Sequence, residues 1–306
     1  MDQSLNPAQN PTSNPAPKPA QTAPGKPAAI CRLEALMDAA WRAAECEESG
    51  GWVLRAASGV TQRANSVWTR DPGEDPHRLI ARLRQARLWY RDRRLPLIFQ
   101  SFDGPRYAAL NAVLDAEGFT RQSETLVLVR PSGAEPGGGS AGPDPAVEIT
   151  PEPTADWLDL WWSVDGRGGS AELAVARGIL ECCPAVYALV RDDDGVPAAV
   201  ARLAMPGTVP ALTDPVPVVA GPAPAGPGWG GLYCMATRPD ARRRGYGGRI
   251  VRALLREGDA RGLEGYWLLV MASNAGARDL YAQAGFREAC RYLYRQERPK
   301  RHLTGC

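Results

Sequence analysis

The 306-residue chain has only three lysines (Lys18, Lys26 and Lys300) and two histidines, His77 and His302. Arginine therefore carries nearly all the positive charge, and the formal net charge is only +2. So small a net charge supplies no global field for nucleic acid or for an anionic membrane, so neither is expected as a partner. The seven cysteines form no C-x-x-C pair, and the two histidines stand far apart. The short Cys/His spacing of a zinc site is missing, and no metal is expected. The cysteines read as mostly buried free thiols in a reducing compartment, hence a cytoplasmic protein. No apolar run approaches the roughly 20 residues of a membrane span. The stretch MDQSLNPAQNPTSNPAPKPAQTAPGKP has no apolar signal-peptide core, and its Pro, Asn, Gln and Ala content predicts a disordered tail over 1–29.

Two further breaks in composition organise the remainder. PSGAEPGGGSAGPDP, residues 131–145, has almost nothing to bury and reads as a linker between a unit at 30–130 and a second at 146–299, with a short tail at 300–306. A Pro/Gly-rich stretch at 206–228 reads as an inserted surface loop, because its prolines forbid a central strand. In the first unit, apolar spacing predicts a helix over 31–48, then a hairpin from GWVLRAA and RANSVWT. Next come a helix through HRLIARLRQARLWYRD capped by Asp75, a strand LPLIFQSF, a helix closed by Gly118 and a strand TLVLVR. The second unit reads as a strand AVEIT, helices near 154–163 and 171–181, and a hairpin from AVYALVRDD and VPAAVARLAM. It continues with a strand GGLYCMATRP, a helix from Gly247 to Arg261, a strand GYWLLVMAS, a helix capped by Asn274 and a last strand FREACRYLYRQE. Alternating helices and strands predict α/β sandwich units.

Between GGLYCMATRP and its helix stands RRRGYGGR, residues 242–249. Glycines let successive N–H groups converge on an anion, and the start of the following helix adds its positive dipole end. The run is neither the dinucleotide fingerprint, which needs G-x-G-x-x-G, nor a P-loop, which needs Gly-Lys-Ser/Thr. Arg242, Gly245 and Gly247 fit the pattern Arg/Gln-x-x-Gly-x-Gly/Ala, and Asn274, Ala277, Tyr281, Gly285 and Phe286 fit a later N-x-x-A-x-x-x-Tyr-x-x-x-Gly-Phe segment. In this order and context, residues 146–299 resemble the GNAT acetyltransferase superfamily.

The resemblance implies a fold of mixed-sheet α/β sandwich units and an acetyl-CoA-dependent N-acetyltransferase acting on the amine of a small molecule or amino acid by direct attack on the thioester. The pantetheine would pair with the backbone of Met235, Ala236 and Thr237. Backbone groups from Arg243, Arg244, Gly245, Tyr246, Gly247 and Gly248 would hold the pyrophosphate, with Arg242 and Asn274 completing the binding set. It also assigns to Tyr281 the proton for the departing thiolate, a reasonable match for a phenol facing a thiol. A backbone N–H near Met235 would face the developing oxyanion.

A general base is harder to find, because GGLYCMATRP carries no carboxylate. Tyr233 and Cys234 are its polar candidates, both reading as packing residues, while Asp165 and Glu172 flank GRGGS on the expected acceptor side. The missing carboxylate motivates the alternative of a non-catalytic acetyl-CoA sensor or scaffold. The first unit ends in LNAVLDAEGF, which echoes LYAQAGF, but its corresponding loop is TRDPGEDP, whose carboxylates repel a diphosphate. It therefore reads as a degenerate GNAT copy without cofactor. The tandem layout is similar to that of N-acetylglutamate synthase-like proteins and, more distantly, mycothiol synthases. Self-association into a homo-oligomer is left open.

Overall fold

Gly50 and Gly51 join the expected strand at GWVLRAA to an earlier one that the apolar spacing does not reveal, and Gly50 holds a φ of +62°, which favours glycine. The first helix, α1, spans Lys26–Ala39, and Glu45–Ser49 is a strand, β1, not the end of a helix over 31–48. β1 is an edge strand with a mostly exposed ECEES sequence, so it shows no apolar alternation. It pairs with β2 (Trp52–Ala56), and β2 pairs with the short β3 (Val67–Trp68), so the expected hairpin is present with an extra strand outside it.

The rest of the first half follows its local signals. Asp75 accepts the His77 N–H at 2.9 Å and starts α2 (Pro76–Asp92). β4 (Ile98–Phe102), α3 (Ala108–Ala116) and β5 (Gln122–Pro131) complete it. The second half comprises β6 (Val147–Thr150), α4 (Ala155–Asp165), α5 (Ser170–Leu180), β7 (Ala185–Arg191) and β8 (Pro197–Ala204). These are followed by β9 (Trp229–Thr237), α6 (Tyr246–Ala260), β10 (Gly265–Met271), α7 (Ala275–Gln283) and β11 (Arg287–Gln296). The computed structural model describes residues 26–133, 144–207 and 228–298. Nearly all of the expected N-terminal tail, most of the linker, the Pro/Gly-rich insertion and the C-terminal tail lie outside the described residues.

Among the described residues, eleven strands form one mixed sheet in the order β1-β2-β3-β4-β11-β5-β10-β9-β8-β7-β6. The last strand of each half therefore lies among strands of the other. β5 is hydrogen-bonded to β10 and β11, and β11 to β4 and β5. Along β5, Leu126 and Leu128 enter the core that holds α6 and α7, whereas Val127 enters the core shared by both halves, as strand alternation requires. That shared core joins Trp52 and Phe99 to Trp157 and Tyr233.

Among the described residues six cysteines are free. They are less buried than expected: Cys46 is exposed, and Cys31, Cys182, Cys183, Cys234 and Cys290 are half-buried.

Candidate active site

β9 and β10 run parallel and pair from Trp229/Gly265 to Leu232/Leu268, then part. Gly230 and Gly231 sit at the vertex. A Cβ on Gly231 would come within 2.5 Å of the Trp267 ring, so close approach of the two strands needs glycine there. Beyond the vertex, β9 stays with β8 as far as Thr237, while β10 stays with β5 as far as Met271. The divergence coincides with a β-bulge in β9, where Cys234 takes a φ of +55° and the register against β8 shifts between Val200 and Arg202. A bulge raises local twist and leaves backbone groups without ladder partners. Met235, Ala236 and Thr237 thus line one wall of a V-shaped opening, with their β10-facing side free of strand pairing.

The arginine–glycine run lies at the end of that wall. Arg243 and Gly245 adopt left-handed φ values of +65° and +85°, and Gly245 is the residue that precedes α6. No side chain caps this helix, and the first residue of α6 to donate back is Arg249, to Gly245 O at 3.2 Å. The N–H groups at Tyr246, Gly247 and Gly248 are the unsatisfied donors of a helix start. A Cβ on Gly245 would meet nothing within 4 Å, so the loop opens outward. The Tyr246 side chain packs into the core, leaving its backbone for a ligand. Arg242 donates to Thr237 O at 3.3 Å, Arg244 reaches Asp193 at 3.4 Å, and all three arginines are exposed. The side-chain oxygen of Asn274 accepts the Ala277 N–H at 3.1 Å as the cap of α7. Its role here is to fix the helix that carries Tyr281.

Tyr281 is buried on α7, 6.1 Å from the Phe286 ring. Burial, then the nearby Asp165 carboxylate, push its phenol up to about 12. Asp165 ends α4 and is exposed, yet the protein around its carboxyl raises it above the ordinary range, opposed by Arg242 and Arg167. The same carboxylate acts on Cys234, whose thiol burial pushes up to about 12. The fold thus brings Asp165, Tyr281, Cys234 and Arg242 into one electrostatic neighbourhood. Glu172 does not join them: it accepts the Gly169 N–H at 2.7 Å and caps α5. Tyr233 is a packing residue, stacked on Trp41 at 5.4 Å, with its hydroxyl accepting from Trp267 Nε1 at 3.1 Å.

The corresponding parallel pair of the first half, β3 and β4, is stitched where β9 and β10 part. The Thr69 hydroxyl donates to Gln100 O at 3.3 Å, and Arg106 donates to Arg70 O. The following turn contains Asp71, Glu74 and Asp75, and the Asp75 carboxylate already fills the α2 cap.

A mixed sheet split by a bulged strand, with a glycine turn opening a helix at the split, defines the fold of the GNAT superfamily, and the solved structures that the chain resembles agree. A GCN5-related N-acetyltransferase from Kribbella flavida superposes with a TM-score of 0.61 at 18% identity, covering 90% of this chain and 96% of that one. A tandem GNAT protein from the clavulanic acid biosynthesis pathway superposes with a TM-score of 0.56 at 11% identity, covering 89% and 88%. The chain belongs to the family described as "Probable histone acetyltransferase Rv0428c C-terminal", whose model matches residues 27–295. It is also similar to the uncharacterized N-acetyltransferase YobR of Bacillus subtilis, with 26% identity over 274 residues, 88% of this chain and 99% of that protein. Both halves fall within these matches, so the fold is a tandem of GNAT-like units. Among the described residues no helix is long and apolar enough to cross a membrane.

Proposed function

We propose that the chain transfers an acetyl group from acetyl-CoA to the amine of a small molecule, using the C-terminal opening alone. One observation carries this reading: an uncapped helix start with left-handed Arg243 and Gly245 lies at the end of the unpaired wall of β9. An extended pantetheine adds to such a wall as a strand does, and a diphosphate satisfies such a helix start. Acetyl-CoA brings the thioester; the remaining chemistry belongs to the protein. The backbone at Met235 presents an N–H to negative charge growing on the carbonyl oxygen. Tyr281, kept protonated by burial, gives its proton to the leaving sulfur. Asp165, with its carboxyl raised above the ordinary range by burial, takes the proton of the incoming amine directly or through one water.

Binding stoichiometry together with CoA release tests this. We expect one acetyl-CoA per chain by calorimetry and CoA release that depends on an added amine. Two per chain would place a second site in the first half. Tight binding with no acceleration by any amine would leave the C-terminal opening as a ligand site without the proposed transfer.

A further inference from the structure

Two guanidiniums converge on the Tyr233 ring, and among the described residues neither forms an ion pair with a carboxylate. Arg202, on β8, lies 5.9 Å from the ring centroid, is fully buried, and donates to Ala40 O at 3.0 Å and to Cys183 Sγ at 3.2 Å. It is closed off within the shared core. Arg63 differs. It stands in the turn between β2 and β3, 5.3 Å from the centroids of both Tyr233 and Trp41, and keeps partial exposure. Its Nε is buried without a hydrogen-bond partner. Tyr292 hydrogen-bonds its side chain, and Tyr294 and Tyr233 lie alongside. Removing a cation from water with no counter-ion is costly unless an anion completes the site.

The location decides which anion. Tyr233 immediately precedes Cys234, and the bulge turns both side chains into the shared core beside the β9/β10 opening. Arg63 and Asp165 both act electrostatically on Cys234. Arg63 therefore stands against the β9 residue that precedes Cys234, on the strand that lines the opening.

We propose that the acceptor carries a carboxylate as well as its reacting amine, and that Arg63 of the first half holds this carboxylate beside Trp41 and Tyr233. The assignment rests on the acetyltransferase reading above. The degenerate half then has a role in the reaction, because it donates the recognition cation to the working half.

Paired probes test it, namely L-alanine, L-lysine and L-phenylalanine, each against its carboxamide and its decarboxylated amine, in the wild type, Arg63→Gln and Arg63→Lys. In the wild type, kcat/KM is expected to be at least tenfold higher for one or more of the amino acids than for its two neutralised partners. Arg63→Gln is expected to raise KM for that amino acid roughly tenfold or more, the effect of losing a charged hydrogen bond. KM for acetyl-CoA and turnover of the decarboxylated amine should stay level, and Arg63→Lys should recover part of the loss. A wild type indifferent to the carboxylate, or an Arg63→Gln variant that depresses all three members of a set equally with an unchanged melting temperature, overturns the proposal. Absence of acetyl-CoA binding would instead remove the underlying reading. If acetyl-CoA binds and no probe turns over, calorimetry with the same probes on the CoA-saturated protein decides: amino-acid binding lost in Arg63→Gln supports the proposal, and binding to neither form overturns it.

Discussion

Nη1 of Arg295, on the last strand, donates a 2.9 Å hydrogen bond to Oδ1 of Asn111 on α3, 184 residues earlier. The same guanidinium reaches Asp115 at 2.5 Å and Thr120 O at 3.0 Å, and it is fully buried. β5 returns the exchange, placing buried Arg130 5.8 Å from the ring of Tyr266. Each half is thus completed by an arginine-bearing strand of the other.

Residues 146–298 produced alone should therefore fail to give a cooperatively folded domain, because β10 and β11 would lack the strand that joins them. Co-expression with residues 26–133 should restore a soluble complex. Urea denaturation checks this, and a cooperative transition for the isolated second half at the stability of the whole chain would contradict it. Within the intact chain, Arg295→Ala should cost about 3 kcal/mol, the scale of several buried charged hydrogen bonds lost together.

Gly245→Asp should weaken acetyl-CoA binding by roughly 100-fold or more, since it sets a carboxylate where a diphosphate must lie. Gly245→Ala is the control. Its Cβ has open space, so the left-handed backbone alone costs roughly 1 kcal/mol. Calorimetry that finds both variants equal to wild type would remove the loop from the cofactor site.

Tyr281→Phe should lower kcat roughly 100-fold while leaving KM for acetyl-CoA unchanged, because only a proton donor is lost. The phenol stays protonated well past its ordinary range, its pKa being raised to about 12. Wild-type kcat should therefore hold between about pH 8 and about pH 10, where an unperturbed phenol of pKa about 10 begins to ionise. A decline across that interval would argue against a protonated Tyr281 as the donor.

Some of the chemistry is legible in the sequence because it is local. The Asp75 and Asn274 caps and the glycine turn at Gly245 each express a constraint within a few residues. β1 escapes a sequence reading because ECEES is exposed on a sheet edge, where no apolar alternation is required. The pairing of β5 with β10 is hidden for another reason. Leu126, Val127 and Leu128 fit any strand buried on both faces, and nothing in their order names a partner more than a hundred residues away. Arg63 escapes in the same way. In an arginine-rich chain one more arginine carries no signal until the fold shows that, among the described residues, it pairs with no carboxylate. Asp165, by contrast, stands in the sequence as a loop acid, and its proximity to Tyr281 emerges only from three-dimensional packing.

The exchange of β5 and β11 also sets a timetable for biosynthesis. β5 leaves the ribosome with both of its hydrogen-bonding edges unclaimed, since its two neighbours begin at Gly265 and Arg287. Until synthesis reaches the last strand, an apolar ribbon of Leu126, Val127 and Leu128 has no native partner, and β4 waits beside the space that β11 will fill. Translation that stalls before β11 thus releases a chain with open strand edges, the kind of surface that pairs with other chains.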